Sequence, residues 1–218
     1  MLFLLTGDVQ IGKTRWLEDL CASLQAAGTC VAGVVAPGQW VPRPEGQPGG
    51  KHGFDGAGRF EKLGVDNVLL PQGERIEFAR RRDLAAGGKA FAEGAQAKAA
   101  KLGWAISDTA IAQVNAHFAT LAKQAANETR LAPHAMLVVD ELGRLELLRG
   151  CGLTNALAIL DAGPTPQFPH AIAVVRETLL DEARRRFEPR WGKATVIGPD
   201  DAARNLVLET ARAAGGAH

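Results

Sequence analysis

The sequence predicts an α/β protein whose mostly parallel central sheet is covered by helices on both faces. Short apolar runs alternate along the chain with amphipathic segments of helical length. A chain of 218 residues, 46% of them apolar, is also long enough to bury one substantial core. Because such alternation favours parallel strands joined by right-handed crossovers, we expect one domain over residues 1–218. Ligands would bind at the carboxyl edge of its sheet.

Hydrophobic periodicity and the capping signals place the individual elements. The expected strands are residues 2–6, 30–37, 68–70, 75–79, 135–140, 171–175 and 194–198. The expected helices are residues 13–27, 107–127 with Ser107 as N-cap, 152–162, 178–187 and 200–214. Residues 37–59 contain seven glycines and four prolines, which predicts an insertion in the form of a mobile loop or a loose hairpin. Residues 83–103, rich in Ala, Gly and Lys, are expected to be exposed.

Composition limits the partners. Lys and Arg number 25 against 24 Asp and Glu, so the net charge is +1, which gives no global reason to bind nucleic acid or an anionic membrane. Cys21, Cys30 and Cys151 are odd in number and widely spaced, as expected of reduced thiols rather than disulfides or a zinc site. The opening MLFLL lacks a cationic region, and no apolar run is long enough to span a membrane. We therefore expect a cytoplasmic protein.

The motif that indicates chemistry is GDVQIGKT, residues 7–14, which fits G-x-x-x-x-G-K-[ST] at every fixed position. It lies where the first strand turns into the first helix, so backbone N–H groups can converge on phosphate oxygens there. Lys13 is expected to reach the β- and γ-phosphates of a nucleotide, and the Thr14 hydroxyl to bind Mg²⁺. The predicted nucleotide-binding residues are Gly7, Asp8, Val9, Gln10, Ile11, Gly12, Lys13, Thr14 and Arg15.

A second candidate site follows the apolar strand MLVV, where Asp140 and Glu141 come directly after the strand. Asp140 at a strand tip suits a Mg²⁺ partner and would complete a metal site with Thr14. Glu141, one residue further, could orient the water that attacks a γ-phosphate and receive its proton. A helix cap for Asp140 and a solvated side chain for Glu141 are the alternative readings.

DELGRLEL, residues 140–147, resembles the D-E-[IL]-G-[KR]-[ML]-E-L signature of the small P-loop nucleoside-triphosphatase family, of the thermophile and human cancer-related type. VAGVV with GFD (53–55), and GERIEFAR (73–80), resemble further segments of that family. The resemblance implies a P-loop three-layer sandwich and Mg²⁺-dependent hydrolysis of ATP, GTP and other triphosphates. It also implies that residues 7–14 hold the phosphates, Asp140 the metal and Glu141 the catalytic water.

Several arginines could neutralise charge on a transferring phosphate. Arg176 follows the strand after the Asp140 strand, so it should emerge at the active edge and could act as a catalytic arginine. Arg80 is an equal rival, and Arg144 is close to the two acids in sequence. The triplets at 80–82 and 184–186 could suggest nucleic acid, but the balanced net charge favours a solvated face.

The residues that would contact the base of a nucleotide are less well defined by the sequence. Residues 198–205 follow the last strand at the active edge and could touch a base, whereas Trp191 should lie at the opposite edge as a structural residue. Trp40 could stack on a base, although an exposed or core position is the more ordinary role. The histidines have no metal-ligand spacing: His52, His117, His134, His170 and His218.

Three functions are compatible with these motifs. A Mg²⁺-dependent nucleoside triphosphatase is favoured, since a water-activating Glu141 would waste nucleotide in a kinase. A small-molecule or nucleotide kinase is the alternative if residues 37–59 and 83–103 close over an acceptor. A slow, nucleotide-gated accessory or switch protein is a third possibility. The physiological substrate, the oligomeric state and any protein partner are undetermined by the sequence.

Overall fold

A computed structural model describes residues 1–8, 11–42, 60–82, 93–96, 104–126 and 134–215. The strands are β1 (Leu2–Leu5), β2 (Val31–Val35), β3 (Gly38–Pro42), β4 (Phe60–Leu70), β5 (Glu74–Arg81), β6 (Trp104–Ile106), β7 (Met136–Leu142), β8 (His170–Val175) and β9 (Thr195–Ile197). The helices are α1 (Lys13–Ala26), α2 (Asp108–Ala126), α3 (Arg144–Arg149), α4 (Thr154–Asp161), α5 (Leu180–Trp191) and α6 (Asp201–Gly215), with a 3₁₀ turn at Glu177–Leu179.

All nine strands form one curled, mixed sheet. Its order is β6-β5-β4-β2-β7-β8-β1-β9, and β3 pairs with β4 off this path. Strands β2, β7, β8, β1 and β9 are parallel, whereas β3, β4, β5 and β6 pair antiparallel. In this order β7 is the central strand, with β1 two places away on one side and β4 two places away on the other.

Helices cover both faces of the parallel part, which gives the three layers that strand–helix alternation predicts. Successive residues of β1 point to opposite faces: Phe3 and Leu5 pack with α1 and α6, while Leu2 and Leu4 belong to the core beneath α2, α4 and α5. All four side chains are fully buried. Within the described ranges, no helix is both long and apolar enough to cross a membrane.

Strands β2 and β7 approach each other closely at Gly33. A Cβ added at Gly33 would lie 1.9 Å from the carbonyl oxygen of Val138, and Gly33 has φ +127°. The Gly33 carbonyl also faces His117 Nε2 of α2 at 3.0 Å. Only glycine fits this position, so it fixes the spacing of the two strands whose carboxyl ends bear the candidate site.

The predicted elements are present with shifted ends, and the structure adds three. Ser107 caps α2 as predicted, since its Oγ accepts the Ala110 N–H at 3.2 Å. Strands β3 and β6 and the short helix α3 were not predicted, and β4 begins eight residues earlier than the predicted strand at 68. Of the proposed insertion, residues 38–42 pair antiparallel with β4, as in the hairpin alternative; residues 43–59 lie outside the described residues. Most of the 83–103 segment also lies outside them.

Candidate functional site

The loop after β1 contains two glycines with positive φ. Gly7 has φ +135° and Gly12 has φ +93°, conformations that side chains rarely adopt. A Cβ at Gly7 would lie 2.5 Å from Ile11 Cδ1, so the loop is also tight at its start. No side chain caps the N-terminus of α1, which leaves its first N–H groups without a side-chain acceptor. Val9 and Gln10 lie outside the described residues.

Lys13, the first residue of α1, folds back over this loop. Its Nζ donates to the carbonyl oxygens of Gly7 at 2.8 Å and Asp8 at 2.6 Å. Burial lowers the pKa of Lys13, and the Glu141, Asp140 and Asp8 carboxylates oppose that shift. The ammonium group is therefore bound to the loop and within electrostatic range of the two acids of β7.

Asp140 is the buried acid of the site, with 2% of its surface exposed. The Ala36 N–H, just beyond β2, donates to its Oδ2 at 2.9 Å. Its Oδ1 is buried and has no hydrogen-bond partner among the described residues. Burial raises the pKa of Asp140 to about 6, against the opposing effects of the Ala36 N–H, the Thr14 side chain and the Lys62 ammonium.

The side chains of Asp140 and Thr14 fit a Mg²⁺ ion. Asp140 Oδ1 is buried without a partner, and the Thr14 side chain interacts with the same carboxylate. Together they offer the hard oxygen ligands that Mg²⁺ prefers. No cluster of three or more His, Cys, Asp or Glu ligands occurs in the part of the chain that the structure describes. An ion bound here would therefore need phosphate or water oxygens as further ligands.

Glu141 adopts an unusual backbone conformation at the tip of β7. Its φ is +63°, and the pairing of β7 with β8 shifts register between Val139 and Leu142. Its Oε1 accepts hydrogen bonds from Arg176 Nε at 3.0 Å and Nη2 at 2.7 Å. Because non-glycine residues in this region carry strain that surrounding structure must offset, the conformation marks Glu141 as a functional candidate. The structure thus joins two residues that the sequence proposed separately.

Glu146 of the DELGRLEL segment has a structural role that was not predicted from the sequence. It is buried, and its Oε2 accepts the Gly143 N–H at 2.9 Å, which caps α3. Its Oε1 accepts the Leu153 N–H at 3.0 Å, and a Cβ at Gly152 would lie 2.1 Å from the same oxygen. Glu146 therefore ties the turn after Glu141 to the start of α4.

Lys62 is a cation of the site that the sequence analysis missed. It lies on β4, opposite Trp40 of β3, and its Nζ is 5.8 Å from the ring centroids of both Trp40 and Trp104. Burial lowers the pKa of Lys62, the Glu141 and Asp140 carboxylates oppose the shift, and Arg176 adds to it. The sequence signal for this position is the alternation of apolar and polar residues in FEKLGVD, residues 60–66, for which no strand was predicted.

Most of the remaining candidates are exposed or make structural contacts. Ile11, Arg15 and Arg144 are exposed, while Arg80 pairs with Glu77. Trp191 is buried and donates to the Leu160 carbonyl at 2.6 Å, in the structural role predicted for it. In the 198–205 segment, the Asp200 carbonyl accepts the Trp16 indole N–H at 3.1 Å and thereby ties this segment to α1. The GFD segment at 53–55 lies outside the described residues.

Both arginine triplets are paired with carboxylates. The pairs are Arg80–Glu77, Arg81–Glu61, Arg82–Glu93, Arg184–Glu188, Arg185–Glu182 and Arg186–Asp161. In the structure both triplets therefore form ion pairs with acidic side chains of the same chain.

The architecture is that of the P-loop nucleoside-triphosphatase fold, as predicted. The chain is similar in structure to a human cancer-related nucleoside triphosphatase, with 18% identity, a TM-score of 0.54, and coverage of 99% of this chain and 96% of that one. It is also similar in structure to THEP1 from the hyperthermophile Aquifex aeolicus, with 15% identity, a TM-score of 0.57, and coverage of 96% of both chains. No protein-family model and no curated protein matches the sequence. At these identities the likeness establishes the fold.

We predict that Glu146→Ala destabilises the protein by about 1–3 kcal/mol, because it leaves the part-buried Gly143 N–H and the buried Leu153 N–H without their acceptors. Glu146→Gln keeps one acceptor oxygen and should cost less. Chemical denaturation measures both, with Glu209→Ala on the exposed face of α6 as the control, expected within about 0.5 kcal/mol of wild type. An unchanged unfolding free energy in Glu146→Ala would contradict this role.

Proposed function

We propose that this protein is a Mg²⁺-dependent nucleoside triphosphatase that hydrolyses ATP, GTP and other nucleoside triphosphates to the diphosphate and phosphate. The observation that carries the proposal is the meeting, at one edge of the sheet, of Lys13 with Asp140 and Glu141. Both carboxylates act on the pKa of Lys13, which is itself hydrogen-bonded to the loop after β1. A phosphate-binding loop, a buried acid and a solvent-accessible acid are the groups that phosphoanhydride hydrolysis requires.

Phosphate binding is assigned to the loop and to Lys13. The unclaimed N–H groups at the start of α1 are suited to phosphate oxygens. The Lys13 ammonium now donates to two carbonyl groups of the loop, and a phosphate entering the loop would offer it a charged acceptor instead. Gly7 and Gly12 allow the backbone to adopt this cradle.

Thr14 and Asp140 are the residues that would hold Mg²⁺. When bound, the ion would neutralise charge on the β- and γ-phosphate oxygens. Asp140 is suited to this role because its Oδ2 is fixed by the Ala36 N–H while its buried Oδ1 has no partner among the described residues.

Glu141 is proposed to orient the attacking water and to accept its proton. The carboxylate is exposed and lies at the same strand tip as Asp140. Arg176 holds Glu141 Oε1 through two N–H groups, and its guanidinium is close enough to the site to influence the Lys13 pKa. We assign to Arg176 both the positioning of Glu141 and a contact with γ-phosphate charge.

Further support comes from the two structural neighbours, both of which cover nearly the whole chain; one of them is named as a nucleoside triphosphatase. A cytoplasmic location is also proposed, because Cys21, Cys30 and Cys151 are unpaired. The ligand that this function implies is a nucleoside triphosphate, and no nucleic-acid partner is expected.

A phosphate-release assay tests the function directly. We expect release from ATP, GTP, CTP and UTP without any acceptor, and loss of release when Mg²⁺ is chelated. Release that begins only after an acceptor is added would favour a kinase instead. Tight nucleotide binding without turnover until a protein partner is added would favour a nucleotide-gated switch.

We predict that Lys13→Ala lowers the turnover number by about 10²–10³-fold, the usual effect of removing one group that stabilises transition-state charge. The phosphate-release assay measures this turnover number. Lys193→Ala is the matched control, because Lys193 is exposed and precedes β9 at the opposite edge of the sheet. Hydrolysis at the wild-type rate in Lys13→Ala would exclude the assigned role.

We predict that Asp140→Asn and Glu141→Gln differ in kind. Asp140→Asn should weaken Mg²⁺-dependent nucleotide binding as well as turnover, because it removes a charged ligand of the cation. Glu141→Gln should leave the affinity for Mg²⁺ and triphosphate near normal while lowering turnover by about 10²–10⁴-fold, because an amide cannot accept the proton.

Calorimetric titration of a non-hydrolysable triphosphate, with and without Mg²⁺, separates the two effects in these variants. If Glu141→Gln loses binding and turnover together, Glu141 belongs to the metal site or to the fold. If it loses neither, the water is activated by another group.

A further inference from the structure

An antiparallel extension continues past the carboxyl end of β2, the strand next to β7. Strand β4 pairs with β2 only through residues 68–70, so its first eight residues continue beyond the carboxyl end of β2. Strand β3 pairs along this extension, and the register shifts at Gln39/Trp40 and at Val65/Asp66. Because such irregularities bend and twist strands, the extension can curl toward the edge that bears the two acids.

Lys62 lies on this extension between two aromatic rings. Its Nζ is 5.8 Å from the centroids of Trp40 and Trp104, within the range of a cation–π contact. The packing is tight, since a Cβ at Gly38 would lie 2.6 Å from Trp40 Nε1 and 2.7 Å from Lys62 Cε. The aromatic contacts fix the ammonium group without neutralising its charge.

The other basic side chains of this region are paired with carboxylates. Arg75 pairs with Asp66, Arg80 with Glu77 and Arg81 with Glu61. Among the residues that the structure describes, Lys62 Nζ makes no hydrogen bond or salt bridge. A partly buried cation left unpaired beside paired neighbours is suited to an anion that comes from outside the chain.

Lys62 also interacts electrostatically with the two acids of β7. Among the charged groups that affect the pKa of Lys62, Glu141 has the largest effect, as it also has on the pKa of Lys13. The two lysines come from opposite sides, because β4 and β1 each lie two strands away from β7. Both lysines are therefore within electrostatic range of Glu141, the residue to which the proposed function assigns the attacking water.

We propose that Lys62 is a second phosphate-binding lysine, whose Nζ contacts the terminal phosphate of a bound nucleoside triphosphate opposite Lys13. This inference rests on the proposed function and adds the residue that distinguishes a triphosphate from a diphosphate.

In the hydrolysis step, the bond from the water oxygen to the γ-phosphorus forms, and the water proton passes to the Glu141 carboxylate. The bond from the γ-phosphorus to the β–γ bridging oxygen breaks, and its electron pair remains on the diphosphate. Lys62 would stabilise the charge on the γ-phosphate oxygens during this transfer.

The test compares Lys62→Met, which keeps the length and apolar packing of the side chain, with Lys62→Arg, which keeps the charge. Lys193→Met is the matched control. We expect Lys62→Met to lower the turnover number by about 10²-fold. We also expect about a tenfold lower affinity for a non-hydrolysable triphosphate and an affinity for the diphosphate within about twofold of wild type, both measured by calorimetry. Lys62→Arg should recover part of each loss, and Lys193→Met should match wild type.

Unchanged turnover and unchanged triphosphate affinity in a folded Lys62→Met would overturn the proposal. Equal losses for triphosphate and diphosphate would also overturn it, because the contact would then not be with the terminal phosphate. If Lys62→Met fails to fold, Gly38→Ala displaces the same ammonium group without removing its charge and should reduce the preference for triphosphate over diphosphate; an unchanged preference would overturn the proposal. If the wild-type protein binds but does not hydrolyse triphosphates, the proposed function fails, while the binding comparison still tests Lys62.

Discussion

The buried carboxylate of Asp140 is the constraint around which the rest of the candidate site is arranged. A carboxylate with 2% exposure is costly to ionise unless partners compensate for the lost water. The Ala36 N–H supplies one hydrogen bond, and Lys62 supplies favourable charge from a distance. The pKa of about 6 reflects the burial that remains uncompensated. Such a group is prepared to bind a cation, because an ion would satisfy the oxygen that the described protein groups do not.

The charged groups around Asp140 are best considered together. Lys13, Lys62 and Arg176 provide three cations against the two carboxylates of Asp140 and Glu141. In the structure the cations are engaged by weak or exchangeable partners: loop carbonyls for Lys13, aromatic rings for Lys62 and an exposed carboxylate for Arg176. An anionic ligand can take over these contacts at little cost, because no buried ion pair has to be broken first.

The position of the central strand makes this arrangement possible. The parallel strands bring the ends of β1, β7 and β8 to one edge, which unites Lys13, Asp140, Glu141 and Arg176. The antiparallel strands add Lys62 from the other side of β7. Glu146 then holds the turn after Glu141 against the start of α4, so that the strained backbone at Glu141 is supported by buried hydrogen bonds. Gly33 fixes the distance between β2 and β7 beneath the site.

The sequence by itself determined the alternation of strands and helices, the loop at residues 7–14, the capping of α2 by Ser107 and the two acids after the apolar part of β7. These features are local, since each depends on spacing or on residues that are neighbours along the chain. The tertiary structure alone decided that Arg176 pairs with Glu141, that Glu146 joins two turns and that Lys62 lies by Trp40 and Trp104, within electrostatic range of the acids. Lys62 and Glu141 are 79 positions apart in the sequence (141 − 62 = 79). Their electrostatic interaction depends on the pairing of β4 with β2 and of β3 with β4, which is long-range strand pairing that the alternation in FEKLGVD does not encode.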